Sequence, residues 1–66
     1  MQIQFNQQPY TLSSPTTLAV FLASQQQLRA GIAVAINQQV IPRSHWDSQS
    51  LQEGDNIMLF TAIAGG

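Results

Sequence analysis

The sequence closes on Gly65 and Gly66, so the group it presents there is a carboxylate carried by two residues without Cβ. Two successive glycines fit a narrow channel and leave that carboxylate unobstructed. Ionised near neutral pH, it is a usable nucleophile toward an activated phosphate. An inert, frayed terminus is the competing reading of the same two residues.

The other residues with chemical potential are weaker candidates. His45 is the only histidine, and with no Cys and a single nearby acid, Asp47, it cannot assemble a three- or four-ligand zinc site. Ser44, His45 and Asp47 lie too close in sequence for a nucleophile, base and orienting acid to meet in line, and a surface turn accounts for them. Glu53 and Asp55 flank Gly54 and could share acid–base work only if burial separated their behaviour. A solvated turn is expected instead, with Gly54 at positive φ and Asp55 bonding nearby backbone amides. Arg43 could pair with Asp47, brace the tail or meet an acidic partner. Trp46, the one tryptophan, reads as a core plug.

Composition narrows the function classes. The 66 residues make one domain, with a core too small to be very stable. Only Arg29, Arg43, Asp47, Glu53 and Asp55 are charged and there is no Lys, which argues against nucleic acid as a partner. No apolar run approaches the roughly 20 residues needed to cross a bilayer, and "MQIQFNQQ" lacks the features of a signal peptide. A cytoplasmic protein without membrane contact is expected. Eleven Gln raise the question of disorder, but 44% of the residues are hydrophobic and patterned, as in a folded chain.

The elements that must position these groups follow from periodicity. Met1, Ile3 and Phe5 alternate with glutamines as a first strand, "NQQP" is a turn, and residues 10–12 form a return strand with Pro9 at its start. Residues 13–28 read as a helix capped by Ser14, with Pro15 in its first turn and an apolar stripe of Leu18, Phe21 and Leu22. The stripe meets polar Gln25, so the helix should tilt or fray after Ser24 before Leu28 packs down, with Gly31 as a stop or turn. Residues 32–36 alternate Ile32, Val34 and Ile36 with Ala33 and Ala35; a turn at Asn37 and a short "VI" strand ended by Pro42 complete a second hairpin. Ser44 should cap a single helical turn presenting Trp46. Residues 57–63 are apolar on both faces; with Ile57 and Leu59 inward, Met58, Phe60 and Ala62 lie on the opposite face, where either another element covers them or they form a partner-binding patch.

The order ββαββ, a helical turn, then a strand and Gly-Gly resembles the ubiquitin-like β-grasp fold: α+β, a mixed sheet with one packed helix. The segments "IAVAINQQVIPRSHW", "LQEGDNIMLF" and "AIAGG" together resemble the sulfur carrier family of thiamine biosynthesis, the ThiS proteins, over essentially the whole chain. The resemblance implies a β-grasp domain over 1–63 and a flexible tail over 64–66. It further implies that the Gly66 carboxylate attacks the α-phosphate of ATP within a ThiF-like adenylyltransferase. Sulfur from a donor protein then displaces AMP, and the resulting thiocarboxylate serves a ThiG-like thiazole synthase. The chain is then a carrier and co-substrate rather than an enzyme, with no bound cofactor; ATP and magnesium belong to the adenylyltransferase. Carried over by position, Gly66 is the modified residue, Gly65 its slim approach, Ala64 the start of the tail, and Met58, Phe60 and Ala62 the partner-facing positions. A chain without Cys must carry sulfur on another group, which suits the terminal carboxylate, and Gln25 departs from the family's apolar helix position. A carrier of another sulfur pathway, such as the small subunit of molybdopterin synthase, shares the Gly-Gly end, and a ubiquitin-like modifier or plain binding module remains the alternative of a different class.

Overall fold

The computed structural model describes residues 1–13 and 15–61. A five-stranded sheet is covered on one face by a single helix. The strands are β1 (Gln2–Phe5), β2 (Gln8–Thr11), β3 (Ile32–Ile36), β4 (Gln39–Val40) and β5 (Asn56–Thr61), in the spatial order β2-β1-β5-β3-β4. The helix α1 spans Leu18–Ser24, and a 3-10 turn spans Arg43–His45. The last strand is thus the middle one, parallel to β1 and antiparallel to β3. The expected mixed α+β architecture is what forms. Among the described residues no helix is long and apolar enough to cross a membrane.

Both hairpins turn on the same dipeptide. Asn6 and Gln7, like Asn37 and Gln38, take left-handed backbone conformations with φ between 50° and 71°, the geometry of a two-residue turn whose twist matches the strands it joins. Asn tolerates that region better than most residues. In both turns the Asn side chain also reaches sideways. Asn6 Oδ1 accepts from the Leu59 N–H at 2.8 Å, and Asn37 Oδ1 accepts from the Asn56 N–H at 2.9 Å. Each asparagine also donates its own N–H to a β5 carbonyl, Asn6 to Ile57 and Asn37 to Asn56. The two turns therefore hold β5 from both sides.

The core lies between α1 and the sheet. Leu18, Ala19, Phe21 and Leu22 of α1 pack against Ile3, Phe5, Val34, Ile36 and Ile57. Phe5, Tyr10 and Phe21 meet edge to face, with ring centroids 5.2 to 5.9 Å apart, the arrangement that brings positive ring edges onto negative faces. Trp46 is buried and donates Nε1–H to the Ile41 carbonyl at 2.9 Å, so its polar atom is satisfied inside.

Several boundaries differ from the sequence reading. β2 begins at Gln8, with Pro9 inside an edge strand where its missing N–H is harmless. The expected cap at Ser14 lies outside the described residues. The helix instead begins after Thr17, whose Oγ1 accepts from the Val20 N–H at 3.3 Å. Its first two N–H groups, those of Leu18 and Ala19, donate to the carbonyls of Gln49 and Trp46. α1 ends at Ser24, Gln26 turns left-handed, and Leu28 is exposed rather than packed down. β4 is Gln39–Val40, one residue earlier than the expected "VI". Ser44 sits within the 3-10 turn, which starts after Pro42 without a side-chain cap. β5 is described to Thr61, and its expected extension to residue 63 lies outside the described residues.

Asn37 tests the side-chain clamp apart from turn geometry. Asn37→Gly keeps the left-handed backbone accessible but removes the bonds to Asp55 and Asn56, so it should lower unfolding free energy by about 1–3 kcal/mol in urea titrations. Equal stability of Asn37→Gly and the parent chain would show that the side chain contributes nothing.

Candidate functional site

β5 determines what the sheet presents on the side away from α1. Its pairing with β3 sets Ile36 opposite Ile57, Ala35 opposite Met58, Val34 opposite Leu59 and Ala33 opposite Phe60. Because successive strand side chains alternate in direction, Ile57 and Leu59 go to the core and Met58 and Phe60 to the open face. Ile57 is completely buried, whereas Met58 is 37% and Phe60 46% exposed. Val40, exposed on β4, lies opposite Ala35 and continues the apolar strip outward from Met58. The alanines of β3 keep the strip low between them. On β1 the outward Gln4 lies opposite Asn56, so neutral amides flank the start of the strip. Met58 and Phe60 thus occupy the outward positions expected of them; Ala62, Ala64, Gly65 and Gly66 lie outside the described residues.

The remaining sequence candidates separate in space and in role. Ser44, His45 and Asp47 are all exposed on or beside the 3-10 turn. Among the described residues there is no group of three His, Asp or Glu that could hold a metal ion. Gly54 has φ +83°, the turn conformation its lack of Cβ permits. Glu53 is exposed and accepts from the Gln2 N–H at 3.1 Å.

Asp55 departs from the expected solvated turn, being only 7% exposed. Its Oδ2 accepts from the Gln52 N–H at 2.8 Å and its Oδ1 from Asn37 Nδ2 at 3.0 Å. Bonding to a nearby backbone amide was expected, and burial was not. Asp55 is buried because the Asn37 turn closes over it from the neighbouring hairpin. Its bonds tie the start of β5 to that hairpin. A depression of about 530 Å³ between the β3–β4 hairpin and the 3-10 turn includes Asp55 and His45 in its lining. Its one carboxylate is already committed to Asn37 and Gln52, which suits it to structure rather than proton transfer.

Arg43 takes a course that sequence reasoning left open. Its Nη1 donates to the Arg29 carbonyl at 2.8 Å, and its guanidinium lies over Trp46, 4.7 Å from the ring centroid. A planar cation is attracted to the face of an aromatic ring, so the buried indole holds an exposed charge in place.

The architecture and its open apolar face are accompanied by a match along nearly the whole sequence. The ThiS family profile matches residues 3–66. The chain belongs to the ThiS family. The sulfur carrier protein ThiS of Escherichia coli (strain K12) is 46% identical to it over 66 residues, which is 100% of both chains. The crystal structure of the thiamine biosynthesis protein ThiS from Geobacter metallireducens has a TM-score of 0.86, with 22% identity and 100% of both chains covered. An NMR solution structure of a thiamine biosynthesis protein from the same organism gives a TM-score of 0.76 at 22% identity, covering 100% of this chain and 88% of that one. At that level of identity the two solved structures speak for the fold, the ThiS β-grasp, which this chain shares.

The face assignment has a sharp consequence for stability. Met58→Asp places a charge on the open side and should leave a cooperative thermal transition within a few degrees of the parent. Ile57→Asp, one residue away, buries an unpaired carboxylate and should abolish that transition. Similar melting of the two variants in circular dichroism would refute the alternation of β5.

Proposed function

We infer that this chain is a sulfur carrier of thiamine biosynthesis. The observation that carries the reading is the family match that extends to Gly66, together with full-length identity of 46% to a sulfur carrier protein. The chemistry proposed for it belongs to Gly66. A carboxylate oxygen attacks the α-phosphate of ATP in a ThiF-like adenylyltransferase, pyrophosphate leaves, and an acyl adenylate forms. Sulfide released by a donor protein then attacks the acyl carbon, and AMP leaves as the C–O bond to phosphate breaks. The C-terminal thiocarboxylate that results donates its sulfur to a ThiG-like thiazole synthase. ATP and magnesium serve the adenylyltransferase, and this chain is a co-substrate rather than a catalyst.

Within this reading the strip containing Met58 and Phe60 is the docking surface, and Ala62 extends it. Glycines at positions 65 and 66 keep the reacting end slim enough to enter the adenylyltransferase site, and Ala64 begins the segment that enters it. What supports the surface is its makeup: exposed aromatic and thioether side chains over flat alanines, bordered by amides, resemble the apolar centre and polar rim of a protein interface.

Incubation with the adenylyltransferase of the same organism, ATP and a sulfur donor should convert the protein to a species heavier by the difference between sulfur and oxygen. Intact mass spectrometry reads this directly. An unchanged mass would refute the carrier reading, and high-mass amide adducts would point to a protein modifier. Phe60→Asp should slow adenylation by about 30-fold, the effect of losing about 2 kcal/mol at a central aromatic contact. Adenylation of that variant at the parent rate would remove Phe60 from the docking surface.

A further inference from the structure

Four of the five charged side chains divide between the two ends of β5, and the fifth, Asp47, is exposed just after the 3-10 turn. Glu53 and Asp55 immediately precede the strand, next to Gln2, to which Glu53 and Gly54 both bond. The two arginines gather at its other end. Ile32 pairs with Thr61 at the far end of β5, and Arg29 lies just before Ile32 in sequence. β4 runs antiparallel to β3, with Ile41 N–H bonded to the Val34 carbonyl, so the chain reaches Arg43 at that same end. The bond from Arg43 to the Arg29 carbonyl closes the cluster. The five residue-to-residue steps from Asn56 to Thr61 separate the two charge groups by about 17 Å at the usual strand rise.

Both arginines are exposed, and the hydrogen bonds they make go to neutral oxygens: Arg43 to a backbone carbonyl, Arg29 through Nη2 to Gln27 Oε1 at 3.3 Å. Neither bond neutralises a cation. Arg43 is also fixed by its stack on Trp46, so its charge is presented from a set position. The chain's net charge is −1, and attraction to an acidic surface must therefore come from how the charges are placed rather than from their sum.

We propose that Arg29 and Arg43 form a cationic rim that docks against an acidic protein surface beside the entrance through which residues 62–66 pass. This rests on the carrier reading above and adds the chemistry of the partner. Gly66 is five residues beyond Thr61, a distance of up to about 17 Å for extended chain. When the reacting end is inside another protein, the two arginines remain at the rim and meet the surface around the entrance, not the phosphate at its base. The open sheet face contributes no charge of its own from Ala33, Ala35, Val40, Met58 or Phe60. It provides apolar contact, and the rim provides orientation and electrostatic attraction.

The division of labour makes the test specific. Kd for the ThiF-like adenylyltransferase of the same organism is measured by isothermal titration from 50 to 500 mM NaCl. For the parent chain it should rise about tenfold across that range, as screening weakens exposed charge pairs. The double variant Arg29→Gln/Arg43→Gln should bind about tenfold more weakly at low salt and vary less than about twofold with salt. Arg43→Lys keeps the cation and should retain affinity within about threefold. Arg29→Gln alone, which removes no contact with Trp46, should account for part of the loss at unchanged melting temperature. A salt-independent Kd for the parent chain overturns the rim, as does equal weakening by Arg43→Lys and Arg43→Gln, which would assign the effect to the stack on Trp46. A parent chain that neither binds nor is adenylated overturns the carrier reading itself and the rim with it.

Discussion

Everything the molecule presents depends on the register of β5 between β1 and β3. A strand in mid-sheet is held by hydrogen bonds on both edges, and a slip of one residue would turn every side chain to the opposite face. Here the register is reinforced beyond the ladder. Asn6 extends the grip of β1 past the end of that strand to the Leu59 N–H, and Asn37 receives the Asn56 N–H at the strand's start. Asp55 holds Asn37 from behind. The result is Ile57 sealed against the helix while Met58 and Phe60 remain outside.

The same constraint explains how so small a domain tolerates exposed apolar residues. Its core is already supplied by the face of β5 toward α1, by the aromatic trio of Phe5, Tyr10 and Phe21, and by Trp46. Burying Met58 and Phe60 as well would require a second layer, and 66 residues do not provide one. Among the described residues nothing covers that side of the sheet. Amides rather than charges border it on β1, so an apolar partner need not desolvate ions there.

Where sequence reasoning went astray, long-range bonds replaced the local ones it relied on. Ser14 and Pro15 look like a helix start, yet α1 begins at Leu18 because the segment from Trp46 to Gln49 supplies carbonyls to its first N–H groups and Thr17 caps the next. Leu28 lies seven positions after Phe21, in phase with it on a continued helix, but Gln26 turns left-handed and ends the run. Asp55 reads as solvated because its neighbours in sequence are polar; the residue that covers it, Asn37, is 18 positions away. The partner of Arg43 was unreadable for a similar reason, since the Arg29 carbonyl is a backbone group with no sequence signature.

Local pattern alone determined the strand-forming segments, both Asn turns, the apolar helix stripe, the Trp46 plug and the two-sided character of 57–61, because side-chain alternation and turn chemistry act over a few residues. It also exposed the resemblance that led to Gly66. Tertiary structure decided which strand lies in the middle, how Asn6 and Asn37 clamp it, that Asp55 is enclosed, and that both cations share one end of the sheet. Those outcomes depend on hydrogen bonds and packing between residues up to 53 positions apart, and such contacts exist only once the chain has closed on itself.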